Sequence, residues 1–251
     1  MAEKKTKKFI SADNGNQTAA PEKKTRNTKA AAPVGNAKNL RIGAVVLWIL
    51  AVVMEVLALL VVLGKINLKF MPTLYQLIAF LVLDLAFVII GAQLWKKANR
   101  IDPVSEANKF KFWLWNNMGV IVCVVAFVPI IILMLSNKNL DKKTKTIATV
   151  VAIIALLIGG VCSYDFNPVS EEQQQAAIEA VAGDVFWSPF GKVYHTHDDC
   201  QALNQSDTLT YGTVEQAIAA NRTRLCSFCA KRDDITDVVT DEVDTGDAYE
   251  Q

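Results

Sequence analysis

The residues of this chain best equipped for chemistry stand near one another toward its C-terminal end. Its only two histidines, His195 and His197, precede Cys200, and a Cys226-x2-Cys229 pair follows after 25 intervening residues. Imidazole nitrogen and thiolate sulfur are the ligands tetrahedral Zn2+ prefers, and two ligand pairs from separate tight turns complete one coordination shell. The spacing therefore predicts a structural Zn2+ held by His195, Cys200, Cys226 and Cys229, with no position open to a substrate water. Two other readings stand beside it. A disulfide from Cys200 to Cys226 or Cys229 would form if this part of the chain lay outside the cell. A redox-active Cys-x2-Cys needs a βαβ setting and gives His195 and Cys200 no role. The other cysteines, Cys123 and Cys162, fall in apolar stretches and read as small apolar filler.

The residues around these ligands predict a small α+β scaffold. Val185–Trp187, a turn at Ser188–Gly191 and Lys192–Tyr194 read as a hairpin delivering His195. Thr213 with Gln216 makes a capping box that starts a helix through Ala220, and Asn221 suits the left-handed cap that returns the chain to Cys226. So small a core would need the metal to hold it. Tyr194-His195, Cys200 followed by Leu203, Glu215-Gln216-Ala217-Ile218 and Arg224-Leu225-Cys226-Ser227-Phe228-Cys229 together resemble the Ada-type zinc-binding module. The likeness is greatest to its His-Cys-Cys-Cys relatives, which are appended to bacterial membrane and secreted proteins, and it covers residues 185–230 only. The family's usual spacing is His-x3-Cys; here it is one residue longer, so the first ligand stays open between His195 and His197, with the place beside Tyr194 favouring His195. The resemblance implies zinc binding and not repair chemistry. In the DNA-repair Ada proteins a zinc-bound cysteine accepts a methyl group, and the matching position here is His195.

These ligands are carried by an apolar chain. Of the 251 residues 52% are hydrophobic, and the mean hydropathy is +0.25, which excludes a disordered or collagen-like polymer and is high for an ordinary soluble domain. Four apolar spans follow a Lys-, Ala- and Thr-rich tail: Ile42–Leu63, Leu74–Leu94, Phe112–Leu135 and the shorter Ile147–Tyr164. Each is long enough, or nearly so, for a hydrocarbon core of about 30 Å, and Trp95, Trp113 and Trp115 sit at span ends, where indole rings favour the headgroup layer. The first span starts too late and runs too long for a signal peptide. The net charge of +1 conceals a basic front and an acidic back. Ten Lys/Arg in the tail and five between residues 95 and 111 face six in the alternate loops, which predicts both termini in the cytoplasm. Lys138, Lys142, Lys143 and Lys145 run against that count.

Glu55 and Asp84 lie inside spans one and two, at matching depth if those spans form a hairpin. Intramembrane acids with no Lys or Arg to pair with are functional candidates, able to share a proton; a protonated helix–helix contact would satisfy them equally. The expected architecture is an α-helical membrane protein, a four-helix transmembrane bundle with a small α+β zinc-knuckle module. Its parts are a disordered basic tail (1–41), the spans (42–164), a juxtamembrane helix and linker (165–184, with a capping box at Ser170 and Gln173), the metal-binding module (185–230) and a disordered acidic tail (231–251). The expected partners are the lipid bilayer of the plasma membrane and a protein bound through the module. Nucleic acid is not expected, because the C-terminal region is acidic and Arg222, Arg224, Lys231 and Arg232 read as a solvated face. With no nucleophile–base pair and no phosphate loop, the chain is expected to anchor, sense or scaffold rather than catalyse. The alternative is a proton- or ion-coupled transporter using Glu55 and Asp84.

Overall fold

A computed structural model describes residues 7–13, 15–18, 35–66, 69, 71–138 and 140–235. The chain divides into two compact units, one of Asn36–Asn99 with Ala107–Phe166, the other of Met1–Gly35, Arg100–Glu106 and Asn167–Gln251.

The first unit is helical: α1 (Ala37–Val62), α2 (Thr73–Ile101), α3 (Lys109–Asn116), α4 (Met118–Ser136) and α5 (Lys142–Ser163). Among the described residues, α1, α2, α4 and α5 are the helices long and apolar enough to cross a membrane. Their outward faces carry Ile42, Ile49, Val125, Ile132, Leu157 and Val161, all exposed, the distribution of a bundle whose solvent is lipid. Inside lie Leu77, Leu81, Val88, Phe127, Ile130 and Met134 with a run of alanines. α4 packs chiefly against α5 and α1. Small residues allow the close approaches: a Cβ on Gly119 would fall 2.6 Å from Ala92 Cβ, and one on Gly91 2.5 Å from Trp48 Nε1. Trp48, Trp95 and Trp115 meet in series as tilted rings, with centroids 5.3 and 5.2 Å apart, and Trp95 Nε1 donates to Trp115 O at 2.8 Å.

The helices differ from the expected spans at several boundaries: α1 begins at Ala37, inside the expected tail, and α2 runs on to Ile101. Phe112–Leu135 is not one helix; it breaks at Asn117, whose backbone (φ −101°, ψ 14°) leaves the helical region. Asn116 and Asn117 turn their side-chain amides back onto the carbonyls of Phe112 and Trp113, at 3.0 and 2.9 Å, offering the backbone an alternative to the regular ladder. The fourth span begins earlier than Ile147, within the lysine run. Asp141 caps it by accepting from Thr144 N at 2.9 Å, which offsets the poor match of Lys142 and Lys143 to a helix N-terminus.

The second unit opens with β1 (Lys8–Ser11) and β2 (Gln17–Thr18) and continues through α6 (Glu171–Ala180), β3 (Val185–Trp187), β4 (Val193–Tyr194), β5 (Thr208–Gly212), α7 (Val214–Ala219), β6 (Arg224–Leu225) and α8 (Ser227–Arg232). One sheet has the order β2-β1-β5-β3, and β4 and β6 form a separate parallel pair. The expected disordered tail over 1–41 therefore does not hold for Lys8–Ser11, which runs parallel to β5 with Phe9 opposite Leu209. Phe9 is 7% exposed, in one core with Trp187, Leu209 and Leu225, and meets Phe186 edge-on at 6.2 Å. Burial of that ring and a ready strand edge supply what the segment's composition lacks. Residues 1–6, 14 and 19–34 of the expected tail lie outside the described residues.

The module is also larger than 185–230. Val169, Ala177 and Val181 share its core. The α6 capping box between Ser170 and Gln173 forms as expected. The Arg100–Glu106 connection joins the same unit: Gln174 Nε2 donates to Arg100 O at 3.2 Å and Glu106 N–H to Glu172 Oε2 at 3.0 Å. The Ser105 hydroxyl and that amide hold the Glu172 carboxyl at about 2, well below the usual range. At the C-terminal end α8 runs on to Arg232 and Ile235 packs against the core, so the expected acidic tail begins no earlier than residue 236, outside the described residues.

Candidate metal centre

Four short pieces of backbone bring the ligands together. β3 and β4 flank a turn at Ser188–Gly191, and the chain then pairs His195 with Phe186 through two reciprocal 2.7 Å hydrogen bonds. The expected hairpin is thus a single bridge, because β3 gives its ladder to β5 and β4 gives its own to β6. The Cys226 N–H donates to Tyr194 O at 2.9 Å, setting Cys226 beside His195. α8 starts there, and one helical turn carries Cys229 to the same side. Cys200 precedes a 3-10 turn at Gln201–Leu203 that buries Leu203. The α7 capping box of Thr213 and Gln216 forms, and Asn221 takes the left-handed conformation at φ 66°.

The side chains of His195, Cys200, Cys226 and Cys229 are all buried, and their ligand atoms lie within 4.8 Å of one another. Cys200 Sγ is 3.9 Å from Cys226 Sγ, and Cys229 Sγ is 3.8 Å from His195 Nδ1. A tetrahedron with metal–sulfur arms of about 2.3 Å has edges of about 3.8 Å. The donor set and its spacing fit one tetrahedral cation. The cysteines are free thiols, and a disulfide requires sulfurs about 2.05 Å apart. The electrostatics point the same way. The Cys226 thiol donates to Cys229 and, with His195 and Thr196, holds the Cys229 thiol below its usual range. Cys226 is pushed up by that same hydrogen bond and by burial, and burial pushes Cys200 up. Three sulfurs so close together all ionise only around a divalent cation.

His197 is not part of the cluster. Its Nε2–H donates to Asp233 Oδ1 at 2.6 Å, and Thr196 Oγ1 donates to the other oxygen of the same carboxylate. Of the basic residues expected to form a solvated face, Arg232 pairs with Asp199 at 2.8 Å, and Arg222 donates to the carbonyls of Ser188, Pro189 and Ala220.

Glu55 and Asp84 are buried in the helical unit, 7% and 1% exposed, and lie within electrostatic reach of each other. Neither carboxylate oxygen of Asp84 has a hydrogen-bond partner among the described residues. The residues that sequence reasoning missed are those of the N-terminal strand. Lys7 Nζ donates to Asp198 O at 2.6 Å, and Asp13 accepts from Gln216 Nε2 at 2.6 Å. The signal that could have found them is Phe9-Ile10 followed by Asn14-Gly15, an apolar pair before a hairpin dipeptide. No protein-family model, curated protein or solved structure matches the chain.

Proposed function

We propose that the chain is a multi-pass plasma-membrane protein whose cytoplasmic module is held by one structural Zn2+ and serves to anchor, sense or scaffold through a bound protein partner. The observation that carries this reading is the set of four buried ligand atoms within 4.8 Å of one another. Four protein ligands leave no coordination position for a substrate, so the metal's role is to hold the fold rather than to catalyse. The resemblance of residues 185–230 to the Ada-type module agrees with that assignment. The grouping of Met1–Gly35, Arg100–Glu106 and Asn167–Gln251 in one unit supports the topology, because four crossings assign those three segments to one face. The ten basic residues of the 1–41 tail and the five between residues 95 and 111 favour the cytoplasm. Purified full-length chain should contain one zinc per polypeptide by elemental analysis, and a strong chelator should remove it and unfold the module. Cys229→Ser should be isolated without zinc. A module that stays folded in chelator, with no metal present, would sink the proposal.

A second reading, proton- or ion-coupled transport, is favoured by one observation: the two buried, unpartnered carboxylate oxygens of Asp84 beside Glu55. Such a group is tolerated in a bilayer when a proton or cation neutralises it. In proteoliposomes an imposed proton gradient should dissipate faster with wild-type chain than with Asp84→Asn. Equal rates would end this reading.

A further inference from the structure

Phe190 is 99% exposed, more than any other large apolar side chain among the described residues. A lone exposed apolar residue is ordinary on a protein surface; here the exposure coincides with a firmly held turn and a one-sided charge. Gly191 N–H donates to Ser188 O at 3.3 Å, closing a β-turn with Pro189 at its second position, where the ring pre-sets φ. Arg222 Nη2 donates to Ser188 O at 3.0 Å and to Pro189 O, and its Nη1 to Ala220 O, so one guanidinium fastens the turn to the end of α7.

The charge near this turn is opposite in sign to that of the region around it. Residues 147–251 carry five basic and 17 acidic side chains, yet three of those five gather here. Lys192 is exposed two residues beyond Phe190, Arg222 touches the turn, and Arg224 stands opposite Val193 in the β4–β6 pair. The acids on the elements leading to the turn lie at their far ends. Asp184 precedes β3, and Glu215 is in the first turn of α7, whose last turn leads to Arg222. The metal cluster is likewise at the other end of β4 and β6, beyond Tyr194 and Leu225. An aromatic tip among cations is the chemistry that meets an anionic membrane surface: the ring enters the interfacial layer, and the cations face lipid phosphates. Seven residues separate the end of α5 from the start of α6, at most about 25 Å of chain. A bilayer crossed by α5 is within the module's reach.

We propose that the Ser188–Gly191 turn docks on the anionic leaflet of the bilayer that the chain crosses, with Phe190 in the interfacial layer, Lys192 and Arg224 against lipid phosphates, and Arg222 holding the turn and adding its charge. The inference rests on the membrane reading above, and its test separates the two. Full-length chain carrying Phe190→Trp is reconstituted into vesicles of phosphatidylcholine alone, or of phosphatidylcholine with phosphatidylglycerol. Its emission is read as the difference from wild type, which has five tryptophans of its own. With phosphatidylglycerol present, the difference emission should be blue-shifted and should lose most of its intensity when the acyl chains are brominated. Adding Lys192→Glu should reverse both effects while bound zinc is retained. Water-like, unquenched emission from a chain that floats with the lipid overturns the inference alone, and is the outcome expected if the turn serves a protein partner instead. Quenching that is equal in both lipids and indifferent to Lys192→Glu overturns docking on an anionic surface. A chain that does not float with lipid overturns the membrane reading and this inference together.

Discussion

His195 and His197 are two residues apart on an extended segment and have different neighbours. His195 is 3% exposed with Nδ1 facing the Cys229 sulfur, whereas the His197 ring lies against Asp233 on the module's rim. His195→Ala should therefore open one coordination position to water and release zinc readily, measured as metal retained after a chelator challenge. His197→Ala should keep its zinc and lose about 1 kcal/mol or less, the worth of a partly exposed ion pair. Equal losses in the two variants would mean that His197 is a ligand. Which residues could bind metal was legible in the sequence, because the soft ligands are few and gather at two spacings. Which histidine does so was not, since that choice is made by the Phe186–His195 bridge and the Cys226–Tyr194 hydrogen bond, contacts between segments that no local spacing encodes.

The same division between local and distant causes governs the elements. Both capping boxes, Ser170 with Gln173 and Thr213 with Gln216, and the left-handed Asn221 could be read directly, because each depends on residues within one turn of the chain. The apolar spans were legible for the same reason, their lengths being set by composition. The break at Asn117 was not, since two amide side chains compete there with helical bonds that the apolar pattern favours. β1 was missed altogether, because its longer partner, β5, lies 200 residues away. Its contribution is testable through one ring. Phe9→Ala removes a buried phenyl group from the module core and should destabilise that unit by about 3 kcal/mol. Hydrogen exchange across Thr208–Gly212 in the full-length protein should accelerate accordingly. Unchanged protection in that strand would show that β1 adds nothing to the sheet's stability.

For the molecule as a whole, four crossings predict one face for the chain ends with the α2–α3 connection, and the other face for the two remaining loops. The helix ends that lead into those two loops meet: Asn137, the cap of α4, donates from Nδ2 to the O of Val62, the last residue of α1, at 2.7 Å. In intact cells, a cysteine at Lys65→Cys should react with an impermeant maleimide, and one at Gln251→Cys should react only after permeabilisation. Labelling of Gln251→Cys from outside would reverse the assigned orientation and bring the disulfide alternative for Cys200 back into consideration. The pairing of β1 with β5 also bears on how the chain is made. At about 5–20 residues per second, β1 is synthesised some 10–40 s before Thr208–Gly212. Throughout that interval β1 has only the two-residue β2 beside it, while in the proposed topology the four apolar helices are being threaded into lipid. In that topology the sheet closes only when synthesis is nearly finished, and an odd number of insertions would leave β1 and β5 on opposite sides of the bilayer. Pairing of the earliest strand with a late one would thereby act as a parity check on insertion, since a product with an odd number of crossings would leave Phe9 without its core and the β5 edge unpaired.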